Sequence, residues 1–337
     1  MRNPYVVLQV HSLADLDVIR AAHRARLTKS AGDRELVKEL NQALELLSDP
    51  ERRMKFDEQL KPSVGSTVGS YRIVRAIAEG GFGTTYEAEH LITGGRACIK
   101  HCLKVSDEYN DVLIREAMAL WNLAHFSLPA MRDVVRMDDG SLALVMSYID
   151  ALTVEQVVKK VGRLRGEDVA WITDRALNAL LYLHHYGVID GDIKPQNVMI
   201  QHLKQHVYLI DFGLANSCPT ATTKVGGYTK YFAPPEQVAS ALDRERGGDG
   251  KPLLPAADFF SLGALMLYML GGDVDAVVRR VAPSTVPAPM RHFIDDLMER
   301  DPLQRPKGNV FALFKQVQKD SFGYVAGERK IEPIPGL

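Results

Sequence analysis

The fold is decided by residues 189–213, which read IDGDIKPQNVMIQHLKQHVYLIDFG. Polar residues form two clusters in this segment, at 190–197 and at 211–213. The apolar runs between the clusters predict two short strands, so each cluster lies at the end of a strand. Several carboxylate and amide oxygens together with one ammonium group suit a site that handles a phosphoryl group and a metal ion.

Four side chains of these clusters have a candidate role. Asp192 can accept the proton of a hydroxyl group, and Lys194 can neutralise a phosphoryl group during transfer. Asn197 and Asp211 offer the hard oxygen ligands that Mg²⁺ prefers. Residues 190–192 taken alone favour a polar surface turn, but the aspartate at the end of the following strand favours a site.

A glycine-rich turn precedes this segment in the chain. It reads Glu79-Gly80-Gly81-Phe82-Gly83 and lies between two runs with the pattern of strands. Glycines let backbone N–H groups approach phosphate oxygens without a Cβ in the way. A hairpin turn without a ligand is the alternative interpretation of the same residues.

Lys100 and Glu116 form a further candidate pair. Lys100 ends a predicted strand, where a lysine reaching solvent from the edge is the ordinary interpretation. Glu116 lies on the apolar stripe of a predicted helix, between Leu113 and Leu120, and a carboxylate there needs a partner. Opposite charges ~4 Å apart at an effective dielectric of 20 attract by about 4 kcal/mol before desolvation is counted. We therefore expect the two side chains to meet.

The composition restricts the class of protein. The 337 residues include 41 Lys+Arg and 42 Asp+Glu, a net charge of −1, so we expect neither nucleic acid nor a membrane as partner. Cys98, Cys102 and Cys218 lack metal-site spacing and suit a reducing compartment. The chain start does not have the pattern of a signal peptide, and the most apolar run, residues 259–270, is shorter than the ~20 residues that span a bilayer. A cytoplasmic location is expected.

Four segments are predicted along the chain. Residues 1–62 have helical periodicity, and residues 63–70 form a linker rich in Pro, Gly and Ser. Residues 71–318 begin with strands and continue with helices, and residues 319–337 form a tail that we expect to be loose. The predicted strands are 71–77, 84–89, 97–103, 134–137 and 142–147, and the main predicted helices are 107–124, 167–186, 256–270, 290–300 and 307–318.

The stretch from Tyr71 to about Gln318 resembles the eukaryotic-type protein kinase domain, because its motifs occur in the order of that family. The resemblance implies an α+β bilobal kinase fold, with a small antiparallel β lobe carrying one helix and a larger α-helical lobe. It implies ATP and Mg²⁺ as cofactors and a protein substrate with a serine or threonine acceptor. The matching motifs are the loop 79–83, Lys100, Glu116, residues 192–197, Asp211-Phe212-Gly213, Ala233-Pro234-Pro235-Glu236, residues 258–263, and Arg305 as partner of Glu236.

The same resemblance assigns the catalytic roles. Asp192 would position and deprotonate the acceptor hydroxyl, and Lys194 would stabilise the transferring group. Lys194 and Thr229 match the serine/threonine branch of the family, where this threonine bridges the catalytic aspartate and lysine. Asn197 and Asp211 would hold Mg²⁺ against the phosphate oxygens.

The resemblance also implies the residues around the nucleotide. Lys100, held by its glutamate, would orient the α- and β-phosphates. Met146 would lie at the back of the adenine pocket and Tyr148 in the hinge segment, residues 147–149. Ala78 and Cys98 would lie near the adenine or its phosphates, where ordinary core filling is the alternative for Cys98 and Met146.

The sequence departs from the family at three positions of the site. Ala78 replaces the first glycine of the loop, and Asp190 replaces a histidine before the catalytic aspartate. Gly191 replaces the arginine that clamps a phosphorylated activation loop. Activity is therefore expected not to require phosphorylation of that loop. Its candidate acceptors are Thr220, Thr222 and Thr223.

The N-terminal helices resemble a J-domain. Residues 3–10 are similar to its opening and residues 41–53 to its closing helix. The His-Pro-Asp motif of that family would fall near residues 31–33, where only Asp33 remains. The resemblance implies a docking or regulatory module for a chaperone or adaptor partner, and a helical hairpin of other ancestry remains an alternative.

Two other functions compete with the kinase interpretation. A pseudokinase scaffold is favoured by Ala78, Asp190 and Gly191, but all of the residues that would touch metal or phosphoryl are present. Small-molecule phosphotransferases of kinase-like fold carry a glycine before the catalytic aspartate, as this chain does. They lack the motifs at 211–213, 233–236 and 258–263, so a protein substrate is expected.

Overall fold

The computed structural model divides the chain into two compact units, Met1–Ala117 with Met131–Tyr148, and Met118–Ala130 with Ile149–Leu337. The structure describes residues 3–10, 14–30, 32–60, 62–80, 83–101, 107–137, 141–212, 216–217, 229–326 and 334–337.

The first unit begins with four helices. Asp15 and Asp33 accept N–H groups at the starts of the second and third helices, as good N-caps do. The third helix ends at Ser48 because Asp49 precedes a proline, which begins the fourth helix. Apolar side chains from the first three helices form a separate small core around Ile19 and Leu40. The helices are α1 (Pro4–Leu8), α2 (Leu16–Lys29), α3 (Arg34–Ser48) and α4 (Pro50–Leu60).

The rest of the first unit is a six-stranded antiparallel sheet with the strand order β1-β2-β3-β4-β6-β5. Its apolar cluster includes Tyr71, Tyr86, Ile99 and Val145, which come from four different strands. Two irregularities in β2 change its register with β3, first between Ile73 and Arg75. The elements are β1 (Thr67–Val68), β2 (Tyr71–Gly80), β3 (Gly83–His90), β4 (Arg96–His101), the helix α5 (Asp107–Trp121), β5 (Met131–Arg136) and β6 (Leu142–Ser147).

The second unit is mostly helical. Its strands are β7 (Leu152–Thr153), β8 (Val188–Ile189), β9 (Val198–Gln201), β10 (His206–Leu209) and β11 (Asn216–Ser217). Its helices are α6 (Val154–Val161), α7 (Gly166–His185), α8 (Pro235–Glu245), α9 (Ala256–Gly271), α10 (Val274–Arg279), α11 (Ala288–Leu297) and α12 (Val310–Phe322).

Helix α9 is the apolar centre of this unit, as the run at residues 259–270 predicts. Nearly all of its side chains are buried, and Asp258 is the one charged residue among the buried ones. Strands β9 and β10 pair antiparallel and carry the two polar clusters at their ends. The hydrogen bond from Leu209 N to Ser127 O ties β10 to the neighbouring loop.

The predicted strands and helices occur in the expected order, and the structure adds the helices α6, α8 and α10 and the short strands β7, β8 and β11. Two parts of the chain differ from the prediction. Two residues of the predicted linker, Thr67 and Val68, form β1 and pair with the start of β2. The prediction of a loose tail is wrong for its described residues, because Val325 and Ile334 are only 6% and 4% exposed. Burial of these apolar side chains holds the end of the chain in place.

Among the described residues, no helix combines the length and the apolar character that crossing a membrane requires.

Candidate active site

The glycine-rich turn connects β2 to β3. The two strands remain paired up to Gly80 opposite Gly83, with Glu79 opposite Thr84 and Ala78 opposite Thr85. Gly83 has φ +144°, a conformation that favours glycine. Gly81 and Phe82 lie outside the described residues. The predicted phosphate loop is thus the tip of a β-hairpin.

Lys100 and Glu116 are brought together by β4 and α5. Lys100 Nζ donates to Glu116 Oε1 at 3.0 Å and to Oε2 at 2.7 Å. The carboxylate side chain is 1% exposed and the lysine 14% exposed. Leu113 and Leu120 are buried on the same helix, so the apolar stripe places Glu116 against the sheet. Each buried charge has its partner, which the low dielectric requires.

Cys98, Met146 and Tyr148 lie at the opposite end of β4 from the predicted phosphate loop. Cys98 is directly opposite Met146 in the antiparallel ladder, so their side chains share one face of the sheet. Met146 is buried and Cys98 half-buried. Tyr148 follows the last residue of β6 and closes the first unit. This is the same face that carries Lys100, two residues further along β4.

Asp192 is the centre of a dense polar cluster in the second unit. Lys194 Nζ donates to Asp192 Oδ2 at 2.6 Å, and the Thr229 hydroxyl donates to Asp192 Oδ1 at 2.6 Å. Lys194 also donates to Thr229 Oγ1 at 3.3 Å. The amide nitrogen of Asn197 donates to both the backbone and the carboxylate of Asp192, each at 3.0 Å. The structure therefore brings together four of the residues that the sequence selects.

The backbone before Asp192 is held by the carboxylate of Asp258, on α9. Asp258 Oδ2 accepts the N–H of Asp190 at 3.0 Å, and Oδ1 accepts the N–H of Gly191 at 2.8 Å. His184 Nε2 donates to the same carboxylate at 2.7 Å. The carbonyl of Gly191 accepts from Gln237 Nε2 at 2.8 Å. These contacts fix the loop from both sides.

Gly191 has φ +72°, a left-handed conformation that an arginine would adopt only with strain. Asp190 Oδ1 accepts the backbone N–H of Asp192 at 3.0 Å, so the Asp190 side chain helps to position Asp192. Its other oxygen is buried and makes no hydrogen bond within the described part of the chain.

The carboxylates of this loop have perturbed acidities. Burial, reinforced by the Asp258 carboxylate, holds the pKa of Asp190 well above its ordinary value. Burial also raises the pKa of Asp192, while the Lys194 ammonium and the Thr229 hydroxyl act to lower it. A raised pKa in a buried, hydrogen-bonded carboxylate is typical of a group that takes part in proton transfer.

Asp211 follows β10 and lies close to the same cluster. Ile210 N donates to the carbonyl of Asn197 at 2.9 Å, which ties the two polar clusters together. Asp211 has φ +65°, and its charge contributes to the raised pKa of Asp192. Phe212 beside it is buried, and Gly213 lies outside the described residues.

The donor set fits Mg²⁺. The amide nitrogen of Asn197 is used by Asp192, so its oxygen is the atom that remains for a cation. With the carboxylate of Asp211, this gives two hard oxygen ligands, and a magnesium site in a phosphotransferase commonly uses one or two protein ligands beside phosphate and water.

Glu236 and Arg305 form the predicted pair at a distance from the cluster. Arg305 Nη1 and Nη2 donate to the two carboxylate oxygens of Glu236 at 2.6 and 2.9 Å. Arg305 is buried, and it also donates to the carbonyls of Glu299 and Ala256. This arrangement anchors the segment that follows Thr229.

Sequence reasoning missed the roles of His184, Gln237 and Asp258 in holding the loop. Asp258 could have been found, because a lone aspartate inside an otherwise apolar helix needs donors for its carboxylate. His184 and Gln237 carry no such signal, since their partners are distant in the chain.

Comparison with known proteins gives the family. The protein kinase domain model matches residues 71–322. A probable serine/threonine-protein kinase PknB of Lactococcus lactis is 26% identical over 235 residues, which cover 67% of this chain and 35% of the relative. Serine/threonine-protein kinase F of Synechocystis is 30% identical over 232 residues, 60% of this chain and 44% of the relative. Serine/threonine-protein kinase PrkC of Bacillus subtilis is 27% identical over 214 residues, 61% of this chain and 31% of the relative.

The chain spans less than half the length of these relatives. The family match covers the strands from β2 onward, the Lys100–Glu116 pair, the Asp192 cluster and the Glu236–Arg305 pair. The match therefore shows that this chain belongs to the protein kinase family.

Proposed function

We propose that the chain is a serine/threonine protein kinase that transfers the γ-phosphoryl group of ATP to a hydroxyl group of a protein substrate. The observation that carries the proposal is the Asp192 carboxylate, which is buried and shared by Lys194, Thr229 and Asn197. The names of the relatives support serine and threonine as acceptors.

The catalytic cluster can perform the proton and charge movements of such a transfer. Asp192 would orient the acceptor hydroxyl and receive its proton as the bond from the hydroxyl oxygen to the γ-phosphorus forms and the bond from that phosphorus to ADP breaks, with ADP as the leaving group. Lys194, already hydrogen-bonded to Asp192, places its ammonium charge where negative charge develops on the phosphoryl group. Thr229 holds both side chains in this geometry.

The proposal also assigns the residues that hold the nucleotide. Lys100, fixed by its two hydrogen bonds to Glu116, is the cation for the α- and β-phosphates. Asn197 and Asp211 are the ligands for Mg²⁺. Bound Mg·ATP supplies the phosphoryl group and the metal charge that neutralises the phosphate oxygens. Ala78, Glu79, Gly80 and Gly83 flank the phosphates in this proposal, and Cys98, Met146 and Tyr148 flank the adenine.

A radiolabel assay tests the proposal. The purified chain is incubated with γ-³²P-ATP, Mg²⁺ and a generic basic protein, and the labelled residue is identified by phosphoamino-acid analysis. Phosphoserine or phosphothreonine is expected. Lys100→Met should abolish transfer, and Lys307→Met is the matched control because this lysine is exposed.

Two outcomes would contradict the proposal. Binding of Mg·ATP without transfer to any protein would favour the pseudokinase scaffold. Transfer to a small molecule such as an aminoglycoside, but not to protein, would favour a small-molecule phosphotransferase.

The N-terminal helices are part of the proposal as a J-domain-like docking module at residues 1–62, followed by a linker at 63–70, the kinase domain at 71–318 and a tail at 319–337. Asp33, the remaining residue of the J-domain motif, caps α3. Capping of the helix is therefore a sufficient reason for an aspartate at position 33, even if no chaperone binds there. We expect the full chain not to accelerate the ATPase of a DnaK-type chaperone, and the module to recruit a chaperone or adaptor partner in the cytoplasm.

A further inference from the structure

A row of four side chains crosses the sheet of the first unit. Arg75 is opposite Glu87, Glu87 is opposite Cys98, and Cys98 is opposite Met146. Residues directly opposite in an antiparallel ladder point to the same face. The row therefore runs from β2 to β6 on the face that carries Lys100, two residues from Cys98 along β4.

Glu87 is the acceptor for two arginines on this face. Arg75 Nη2 lies 2.8 Å from Glu87 Oε2, and Arg96 Nη2 lies 2.7 Å from Glu87 Oε1. Arg96 Nε donates to Oε1 as well, at 2.8 Å. The glutamate side chain is 10% exposed, while those of Arg75 and Arg96 are 55% and 47% exposed. Only the carboxylate is desolvated, and it is fully paired.

The two arginines also hold Tyr148. Arg75 Nη2 donates to the Tyr148 hydroxyl at 3.1 Å. The guanidinium carbon of Arg96 lies 3.9 Å from the centre of the Tyr148 ring, well within the range of a cation–π contact. The ring is thus fixed at its edge by one arginine and on its face by the other. Glu87 orients both.

This clamp acts where the strand ladder stops. The last residue pair between β4 and β6 is Ala97 with Ser147, one residue before Tyr148. Beyond that pair the ladder no longer determines the path of the backbone. The Tyr148 side chain, anchored by the two arginines, continues to determine it.

We propose that Glu87, acting through Arg75, Arg96 and Tyr148, is a positioning residue for the adenine base. The inference rests on the proposed function, because Tyr148 belongs to the predicted hinge. Cys98 and Met146, which are also predicted near the adenine, stand in the same row, so the clamp lies beside the residues proposed to contact the base. A hinge that is ordered before the nucleotide arrives saves the cost of ordering it on binding.

The expected effect is on nucleotide binding. Without the carboxylate, the two guanidinium groups repel each other and the tyrosine loses its orientation. Ordering one side chain on binding costs enough to weaken affinity by about 3–10-fold. Glu87→Gln and Tyr148→Ala should each raise KM for ATP by this factor and leave kcat within about twofold, because neither residue touches the transferring group.

Adenosine separates the clamp from a general loss of structure. Its Kd, measured by calorimetry, should rise in Glu87→Gln by the same factor as the Kd of ATP. Lys100→Met, which alters the phosphate contacts, should raise the Kd of ATP and leave the Kd of adenosine unchanged. Tyr148→Phe keeps the contact with Arg96 and loses the bond to Arg75, so an intermediate Kd is expected.

Glu89→Gln is the matched control. Glu89 is an exposed residue two positions further along β3, opposite Arg96 in the ladder, and its side chain forms no hydrogen bond or ion pair with any described residue. The same change of charge there should leave KM and Kd unaltered. The double variant Glu87→Gln/Tyr148→Ala should show no more than the larger single effect, because both changes remove one clamp.

The outcomes separate this inference from the proposed function. The clamp would be overturned if the Kd of adenosine were unchanged in folded Glu87→Gln and Tyr148→Ala, or if their effects were fully additive in the double variant. The proposed function would stand in either case, provided that the wild type transfers phosphoryl groups. A wild-type chain that neither binds nor uses ATP would overturn both. If Glu87→Gln fails to fold, the comparison of Tyr148→Phe with Tyr148→Ala decides. A clamp requires the Kd of adenosine to increase from the wild type to Tyr148→Phe and again to Tyr148→Ala.

Discussion

The carboxylate of Asp258 accepts the backbone N–H of Asp190 at 3.0 Å, and this contact keeps the side chain of Asp190 within the buried interior of the loop. Two carboxylates are thereby held in a region of low dielectric. Like charges at short range disfavour the ionised form of one of them. The pKa of Asp190 is raised, so its carboxyl group takes up a proton at a higher pH than a free aspartate does.

Asp190→Asn should therefore stabilise the protein. The folded state holds the Asp190 proton more tightly than the unfolded chain does, so the stabilising contribution is full below the unfolded pKa and is lost as pH rises through the folded pKa. Asparagine keeps the acceptor for the N–H of Asp192 and cannot ionise. At pH 8 we expect a Tm higher by about 2–4 °C, the shift that 1 kcal/mol gives in a domain of this size.

The measurement is a series of thermal unfolding scans between pH 5 and 8. The Asp190→Asn variant should show a weaker decline of Tm with pH than the wild type. Glu89→Asn, an exposed site, should behave as the wild type does. A lower Tm for Asp190→Asn at pH 8 would show that the carboxylate is ionised and paired.

Thr229→Ala should lower kcat because Thr229 bridges Asp192 and Lys194. Loss of one hydrogen bond to a charged group costs about 1.5–3 kcal/mol, or roughly 10–100-fold in rate if the bond is needed in the transition state. Removing the hydroxyl also removes one cause that lowers the pKa of Asp192, so the acid limb of the pH–rate profile should move to higher pH. Thr229→Ser keeps the hydroxyl and should retain most of the activity; equal losses in both variants would contradict the bridge.

Glu236→Gln should destabilise the second unit. Arg305 is buried, and removal of its carboxylate partner leaves a charge without compensation, at a cost of about 3–5 kcal/mol. Arg305→Lys should not be neutral, because the ammonium cannot replace a planar group that donates to both oxygens of Glu236 and to three backbone carbonyls. Urea unfolding measures both changes. A loss below about 1 kcal/mol in each variant would show that the pair behaves as an exposed one.

The residues with a candidate chemical role can be recognised in the sequence, whereas the contacts that hold such residues in place cannot. Lys100, Glu116, Asp192 and Asn197 carry charge or polarity at strand ends or on an apolar stripe, so local patterns reveal them. The pairing of Arg75 with Glu87 does not follow from alternation along β2. It depends on a register shift between Ile73 and Arg75, which moves Arg75 opposite Glu87.

Contacts between distant parts of the chain also escape prediction. The bond from Gln237 to the carbonyl of Gly191 joins residues 46 positions apart, and neither has an unusual neighbourhood in the sequence. The burial of Ile334 is also not foreseen, because the sequence predicts a loose tail there. An isolated apolar residue among Pro and Gly gives no periodicity from which burial can be inferred.

Replacement of Thr220, Thr222 and Thr223 by alanine should leave the turnover rate within about twofold. The reason is Gly191, whose backbone conformation and lack of a side chain leave no arginine at this position to clamp a phosphothreonine. Steady-state kinetics measure the kcat of the triple variant and compare it with the kcat of the wild type after phosphatase treatment. A collapse in kcat of the triple variant would mean that another cation reads the phosphorylated loop.

The most direct test of the account is the rate of phosphoryl transfer by Asp192→Asn, measured with γ-³²P-ATP and a protein substrate beside the Kd of Mg·ATP. General-base assistance contributes about 10²–10⁴ in rate, so transfer should fall by that factor while Kd stays within about twofold. Lys194 and Thr229 donate to different oxygens of Asp192, so the single oxygen of Asn keeps one of these two contacts, and its amide lacks the basicity to receive a proton. Full transfer activity in Asp192→Asn would contradict the account.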